Sequence, residues 1–163
     1  MINNTNQLKE STREYLNKEW DDETLSRSLG LTLTMKQMNE SIPLDDKKSD
    51  RNFTHFMNRL EKKVFNSSGK RYGKRIKRFP TLERTNKRFH IHVLIEVPKF
   101  SDGSILDKDT YIKLINDCWK KTFFGYKQVH VTELDSQNPR GWGEYITKLP
   151  DSEDNRVDWL NVR

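Results

Sequence analysis

The sequence predicts an α+β fold: a ferredoxin-like or RRM-like antiparallel sheet with helices packed on one of its faces. Two observations lead to this class. Segments with strand-like and helix-like hydrophobic periods follow one another in the order β-α-β-β-α-β-α. The 163 residues suit one domain, and eight Phe, four Trp and five Tyr supply core side chains although only 33% of residues are hydrophobic.

Four segments have the period-two alternation that is typical of half-buried strands. Residues 29–35 alternate Leu and Met with Thr, and residues 128–134 form another strand candidate. Residues 76–84 show a weaker pattern, which Pro80 interrupts. Residues 88–97 give the clearest strand, because every odd-numbered position in it is apolar. We therefore expect that strand to pack its odd-numbered face on the helices and to leave its even-numbered face open.

Three segments have helical patterns. Residues 52–65 and 109–123 place apolar side chains three or four positions apart, which gives each helix one buried face. A last helix begins at Asn138, the predicted N-cap, with Pro139 in its first turn, and it ends before Pro150. Pro cannot donate a backbone hydrogen bond, so it is tolerated at the start of a helix and stops one further along.

The chain divides into three parts. Residues 1–27 form a polar N-terminal arm or short helix, residues 28–150 form the folded domain, and residues 151–163 form a C-terminal tail. Residues 41–50 and 66–73 are expected to be loops, because they are rich in Ser, Asn, Asp, Gly and Pro.

Composition excludes several classes of protein. No apolar run approaches the length of a membrane-spanning helix, and no secretory signal pattern is present at the N-terminus. A single cysteine, Cys118, excludes an internal disulfide and a zinc site built from cysteines. The net charge of +6 and the pI of about 9.4 suggest a polyanionic partner.

The positive charge is concentrated in residues 62–88, which carry 11 basic side chains and one acidic one. Within this segment, residues 70–78 include six basic side chains, a density that suits contact with the phosphates of nucleic acid. A solvated or nuclear-localisation-like loop is the alternative interpretation. The candidate DNA-binding residues are Lys70, Arg71, Tyr72, Lys74, Arg75, Lys77 and Arg78.

His90 and His92 lie two residues apart on the clearest strand, so both imidazoles share its open face and are candidate metal ligands. Glu83, the only acid in the basic segment, lies on the preceding strand, and a short turn brings it beside them. Two imidazoles and a carboxylate can hold a divalent cation and leave coordination positions for substrate oxygens. The alternatives are two solvent-facing histidines and a surface Glu83 paired with a neighbouring cation.

Tyr145 and Lys148 are three residues apart on the predicted last helix, so they share a face. A tyrosine hydroxyl can act as a nucleophile when a base or metal activates it. A boundary tyrosine beside a solvated lysine is the alternative. His55 is expected to be structural, whereas His130 is on a strand and can share the face of the histidine pair.

Three short motifs occur in a characteristic order: LTLT at 31–34, HIH at 90–92 and YITK at 145–148. Together they resemble the HUH endonuclease superfamily, and within it the rolling-circle replication initiators, or Rep proteins. The resemblance covers roughly residues 28–150. It implies that His90, His92 and Glu83 bind Mg²⁺ or Mn²⁺, that Tyr145 is the nucleophile, and that Lys148 assists it.

This resemblance implies a metal-dependent nickase that cuts and rejoins single-stranded DNA, at an origin or a hairpin, through a 5′-phosphotyrosine intermediate. Leu149 departs from the paired-tyrosine pattern of some initiators, so closing a circle requires a second protomer or another route. The resemblance also implies host replication proteins as partners, and we expect no membrane partner. We expect a cytoplasmic protein, or a nuclear one if the source is a eukaryotic virus. No nucleotide-binding motif of the G-x-x-x-x-G-K type occurs in these residues. A transposase of the same superfamily and a non-catalytic RRM-like binding module are the alternatives.

Overall fold

The computed structural model describes residues 4–84, 88–142 and 156–163. The described helices are α1 (Asn4–Glu19), α2 (Asp22–Ser26), α3 (Asp46–Tyr72) and α4 (Lys108–Trp119). The described strands are β1 (Ser28–Met35), β2 (Met38–Asn39), β3 (Ile42–Pro43), β4 (Arg78–Arg84), β5 (Phe89–Glu96), β6 (Gly125–Glu133) and β7 (Arg156–Val157). None of these helices is both long and apolar enough to cross a membrane.

The main sheet has five antiparallel strands in the order β6-β1-β5-β4-β7, and β2 and β3 form a separate small hairpin. The chain passes from β1 through α3 to β4, and β5 then returns between these two strands. A second crossover through α4 places β6 on the other side of β1. This is the split βαβ arrangement of a ferredoxin-like α+β fold, and it confirms the predicted class.

The main core lies between one sheet face and helices α3 and α4. Odd-numbered side chains of β1 and β5 point into it, as the alternation predicts. From the helices come aromatic side chains such as Phe56 and Trp119, which meet edge to face with ring centroids 5.5 Å apart. Burial of this apolar surface fixes which face of each strand turns inward.

The opposite sheet face is also partly covered, which the sequence pattern does not predict. Helix α1 has 16 residues, and Leu16 near its end and Trp20 just after it are buried against Phe79 and Leu94 of the sheet. Arg140 holds the C-terminal end of α1 in place: its guanidinium donates hydrogen bonds to the backbone carbonyl oxygens of Leu16 and Trp20 at 3.2 and 3.1 Å. The N-terminal segment is therefore a packed helix rather than a loose arm.

Helix α3 is longer than predicted at both ends. It begins at Asp46, where the side chain of the N-cap Asp45 accepts a hydrogen bond from the Lys48 amide. Asn66 has φ 52° and ψ −141°, which interrupts the helical geometry. The helix then continues to Tyr72, and Gly73, with φ 63°, is its C-cap. Polar composition alone indicated loops at both places, because caps and turns use the same residues.

A buried ionic cluster joins α3 to the start of β4. Glu61 and Arg78 are each 4% exposed, and Arg78 Nη1 donates to Glu61 Oε1 at 2.6 Å. The other carboxylate oxygen accepts from Arg75 Nη1 at 2.7 Å, and the Ile76 amide donates to Oε1 at 3.1 Å. Arg78 Nε also donates to the carbonyl oxygen of Asn161, so the cluster ties the C-terminal segment to the sheet.

We predict that Glu61→Leu lowers the free energy of unfolding by about 3–5 kcal/mol, because it leaves the Arg78 charge buried without its partner. The matched control is Arg75→Ala: its side chain is 53% exposed, so removal of that ion pair costs less than about 1 kcal/mol. Urea unfolding of both variants measures the difference. Equal destabilisation of the two variants would contradict the structural role of the Glu61–Arg78 pair.

Candidate functional site

The pairing of three strands gathers the candidate metal ligands. His92 lies opposite Thr32 of β1 and Thr81 of β4, while His90 lies opposite Thr34 and Glu83. Residues paired directly across antiparallel strands point to the same face, so these side chains form one polar cluster. It lies on the sheet face away from α3 and α4, as the sequence predicts for the two histidines.

His92 is held at both ring nitrogens. Glu83 Oε2 lies 2.8 Å from Nε2, and Thr32 Oγ1 lies 3.1 Å from Nδ1. An ionised carboxylate only accepts hydrogen bonds, so a neutral ring donates from Nε2 to Glu83 and accepts from the Thr32 hydroxyl at Nδ1. His92 is only 5% exposed. The face around it is therefore less open than the alternation alone suggests.

His90 lies beside His92, with ring centroids 6.5 Å apart and planes inclined by 27°. Its Nδ1 is 3.5 Å from Thr34 Oγ1, at the limit of a hydrogen bond. Burial lowers the pKa of His90, and the nearby charge of Glu83 opposes that shift. A lowered pKa favours the neutral imidazole, which is the form that coordinates metals.

The fit of this cluster to a divalent cation is partial. Two ligands of one cation, with bonds of about 2.1 Å at right angles, lie about 3 Å apart, which matches the His92–Glu83 distance of 2.8 Å. His90 does not complete the set: the described ranges contain no group of three His, Cys, Asp or Glu side chains placed to hold a metal ion.

Thr32 bears on that fit. For His92 Nε2 to coordinate a cation, the neutral ring must carry its proton on Nδ1. The Thr32 hydroxyl, 3.1 Å away, can accept that proton's hydrogen bond as readily as it donates one. A hydroxyl at this position therefore supports either tautomer, and an outer partner of this kind orients metal-ligating histidines.

Tyr145 and Lys148 lie outside the described residues, so their predicted roles stay predictions. The described chain on either side ends close to the polar cluster. Trp142 packs over Gly30 on this face, and Arg156 pairs with Leu82, the neighbour of Glu83. Both flanking residues therefore lie on or beside the part of the sheet that carries the histidines.

A cavity of about 460 Å³ adjoins the cluster on the β6 side. Thr32, His130 and Trp142 are among the residues that line it. His130 is exposed and pairs across the strands with Thr32, so it shares the histidine face, as expected. Trp142 is not among the residues predicted from the sequence to form the site. A glycine in mid-strand does signal the close approach of another group, and the Trp142 indole packs against Gly30.

The candidate DNA-binding residues divide into two groups. Lys70, Arg71 and Tyr72 are exposed at the C-terminal end of α3, with Tyr72 68% exposed. The prediction that Arg78 binds DNA is wrong, because its side chain is buried in the ion pair with Glu61 and cannot reach a phosphate. Arg78 is buried because it belongs to β4, whose apolar residues pack in the interior. The number of charges along the sequence does not show which of them are buried.

The remaining three cations of this segment interact with other side chains of the protein. Arg75 pairs with Glu61, and Lys74 Nζ donates to Ser101 Oγ at 3.1 Å. Lys77 Nζ lies 5.4 Å from the centroid of the Trp20 ring, a cation–π contact. The segment ends at Arg78, the first residue of β4, whereas Glu83 is five residues further along the strand, about 17 Å away at the rise of a strand. The basic residues and the histidines therefore occupy opposite ends of the sheet.

Comparisons with protein-family models, with curated proteins and with solved structures find no match for this chain. The functional argument therefore rests on residues and geometry.

We predict that Glu83→Gln lowers the pKa of His90 further, because the Glu83 charge stabilises the protonated ring and the amide does not. An NMR titration of the His90 ring protons measures the shift. Glu133→Gln, an exposed carboxylate on β6, is the control and leaves the pKa unchanged. A His90 pKa that is unchanged or higher in Glu83→Gln would contradict the coupling.

We predict that Gly30→Ala displaces the Trp142 ring and costs about 1–3 kcal/mol of stability, because an added Cβ lies 2.6 Å from the indole. In a Trp142→Ala background the same substitution costs clearly less, since nothing remains to collide with. Urea unfolding of the four chains gives the coupling energy. A coupling of zero would show that Trp142 does not rest on Gly30.

Proposed function

We propose that the protein is a metal-dependent DNA nickase of the HUH type, which cuts and rejoins single-stranded DNA. The observation that carries the proposal is the register that sets Glu83 against the histidine pair. Glu83 Oε2 is in a hydrogen bond with His92 Nε2 at 2.8 Å, and Glu83 lies opposite His90. Thr32 Oγ1 is in a hydrogen bond with the other ring nitrogen of His92, Nδ1. The order of LTLT, HIH and YITK along the chain supports the same conclusion.

In the proposed reaction, the Tyr145 hydroxyl oxygen attacks the phosphorus of the scissile phosphodiester. A bond forms between Tyr145 and phosphorus, the bond from phosphorus to the 3′-oxygen breaks, and a 5′-phosphotyrosine and a 3′-hydroxyl result. The Tyr145 phenol loses one proton and the departing 3′-oxygen gains one, so no net proton is released. The phosphotyrosine preserves the energy of the phosphodiester, so the reverse reaction joins strands without ATP.

The residues around the polar cluster have supporting roles in this proposal. His92 and Glu83 would hold Mg²⁺ or Mn²⁺, and His90, the expected third ligand, lies beside them on the same face. The metal would supply polarisation of the scissile phosphate. Thr32 and Thr34 orient the two imidazoles from the neighbouring strand. Lys148 neutralises charge on the phosphate or assists deprotonation of Tyr145. A second protomer or another route supplies the second nucleophile when a circle is closed.

A second candidate function is single-stranded nucleic-acid binding without cleavage. The absence of a three-ligand group among the described residues favours it, since a binding sheet needs no metal. Against it, the centre of the histidine face carries Gly30, Thr32 and His92 instead of the exposed aromatic side chains that RRM sheets use for base stacking.

We predict that wild-type protein with Mn²⁺ forms an SDS-resistant adduct with labelled single-stranded oligonucleotides. Tyr145→Phe lowers the rate of cleavage by on the order of 10³-fold or more, because the nucleophile is gone. EDTA and His92→Ala also abolish the adduct but spare most of the DNA binding. Denaturing gels and fluorescence anisotropy measure the two activities.

The matched control for the histidine variant is His55→Ala, since His55 is exposed on α3 and lies away from the polar cluster. Its cleavage rate equals that of wild type. Cleavage that is unaffected by Tyr145→Phe would exclude Tyr145 as the nucleophile. DNA binding without cleavage of any oligonucleotide in a randomised pool, with either metal, would favour the binding module.

A further inference from the structure

A basic cavity opens between α3 and α4, on the side of the sheet away from the histidines. Its volume is about 400 Å³, and four exposed cations line it: Arg59, Lys62, Lys63 and Lys121. None of the four forms a hydrogen bond or an ion pair with another side chain in the described part of the chain. The one acid in the lining, Asp117, is already paired with Lys120.

This basic surface continues along α3. A second cavity, of about 650 Å³, shares Lys62 and Asn66 with the first and adds Lys70 and Lys74. Positions 59, 62, 63 and 66 recur at three- and four-residue spacing, so their side chains form a stripe on the exposed face of the helix. We refer to this stripe, together with Lys121, as the helical basic face.

The chemistry of the helical basic face limits what can bind there. Four cations share one nearby carboxylate, Asp117, which is in an ion pair with Lys120, so positive charge is in excess there. A polyanion relieves the repulsion among these cations and releases counterions. The lining of the two cavities contains no aromatic side chain to stack on bases, and Leu114 and Cys118 are its apolar side chains. A protein interface of ordinary affinity uses a larger apolar centre, often with aromatic side chains.

We propose that the helical basic face binds the phosphate backbone of duplex DNA, independently of sequence. Contacts to phosphate alone suit a duplex, in which the bases are stacked inside and the backbone is presented outside. The sheet separates this face from the polar cluster, because α3 and α4 pack on the odd-numbered face of β1 and β5 and the histidines lie on the other. One molecule can therefore hold a duplex on its helices while a single strand lies at the histidines.

This inference goes beyond the proposed nicking and does not depend on it. Duplex binding requires none of Tyr145, His90, His92 or Glu83, so it is measurable in a chain that cannot cleave. The proposed reaction, in turn, requires a single strand at the opposite sheet face and none of the cations of the helical basic face. Failure of one proposal is therefore distinguishable from failure of the other.

The test compares duplex binding by two variants with the same change in net charge. The first replaces the four cations of the first cavity with glutamine: Arg59→Gln, Lys62→Gln, Lys63→Gln and Lys121→Gln. The second is the matched control and replaces four lysines that line neither cavity: Lys18→Gln, Lys47→Gln, Lys113→Gln and Lys127→Gln. Fluorescence anisotropy with a 20-base-pair DNA duplex, at several salt concentrations, gives the Kd and the salt slope for each.

The cavity variant is expected to bind the duplex more weakly and to have a smaller salt slope. The slope falls by about one for each phosphate that the variant no longer neutralises, about four in all. The control variant keeps nearly the wild-type slope. An equal decrease in the two variants would overturn the proposal, because it would show a response to net charge alone. Circular dichroism and urea unfolding establish that both variants fold.

Other probes identify the ligand. A double-stranded RNA and a poly-glutamate chain of equal charge compete with the labelled duplex at the same ionic strength. Preferential displacement by unlabelled DNA duplex supports the proposal, whereas displacement by poly-glutamate at equal charge concentration overturns it in favour of an acidic protein partner. Displacement by RNA duplex alone would overturn the assignment to DNA. Cleavage of a short single strand by the cavity variant at the wild-type rate confirms that the two faces act separately.

Discussion

The alternation of side chains along β5 is the constraint on which the candidate site depends. Ile91, Val93 and Ile95 are buried against α3 and α4, and the geometry of a strand then turns His90 and His92 to the other face. Moving the register by one residue would turn both imidazoles into the apolar core and expose the core side chains, so the burial of several apolar side chains would be lost. Hydrophobic packing on one face of β5 therefore determines which polar side chains lie on the other.

The neighbouring strands turn this alternation into a site. Glu83 arrives opposite His90 because β4 and β5 are antiparallel neighbours, and its carboxylate reaches the ring of His92 diagonally. Thr32 arrives from β1, which is distant in sequence but adjacent in the sheet, and holds Nδ1 of His92. The orientation of a single imidazole thus depends on three strands, and no strand alone defines it.

Burial also divides the basic residues by role. Arg78 has lost its water and depends on Glu61 for compensation, so it stabilises the junction of α3 with the sheet. Arg59 and Lys63 lie on the exposed side of the same helix without an ion pair in the described part of the chain, which leaves their charge available to a ligand. Basic residues of neighbouring elements therefore differ in burial and pairing because of the helix face or strand face that carries them.

The sequence by itself determined the α+β class, the order of the central elements, the common face of His90 and His92, and Glu83 as their neighbour, because these follow from local periodicity and a short turn. Only the tertiary structure decided that α1 packs on the sheet and that Arg78 is buried. It likewise decided that the cations of the helical basic face gather between α3 and α4. These features depend on contacts between residues far apart in the chain, and local periodicity carries no record of such partners.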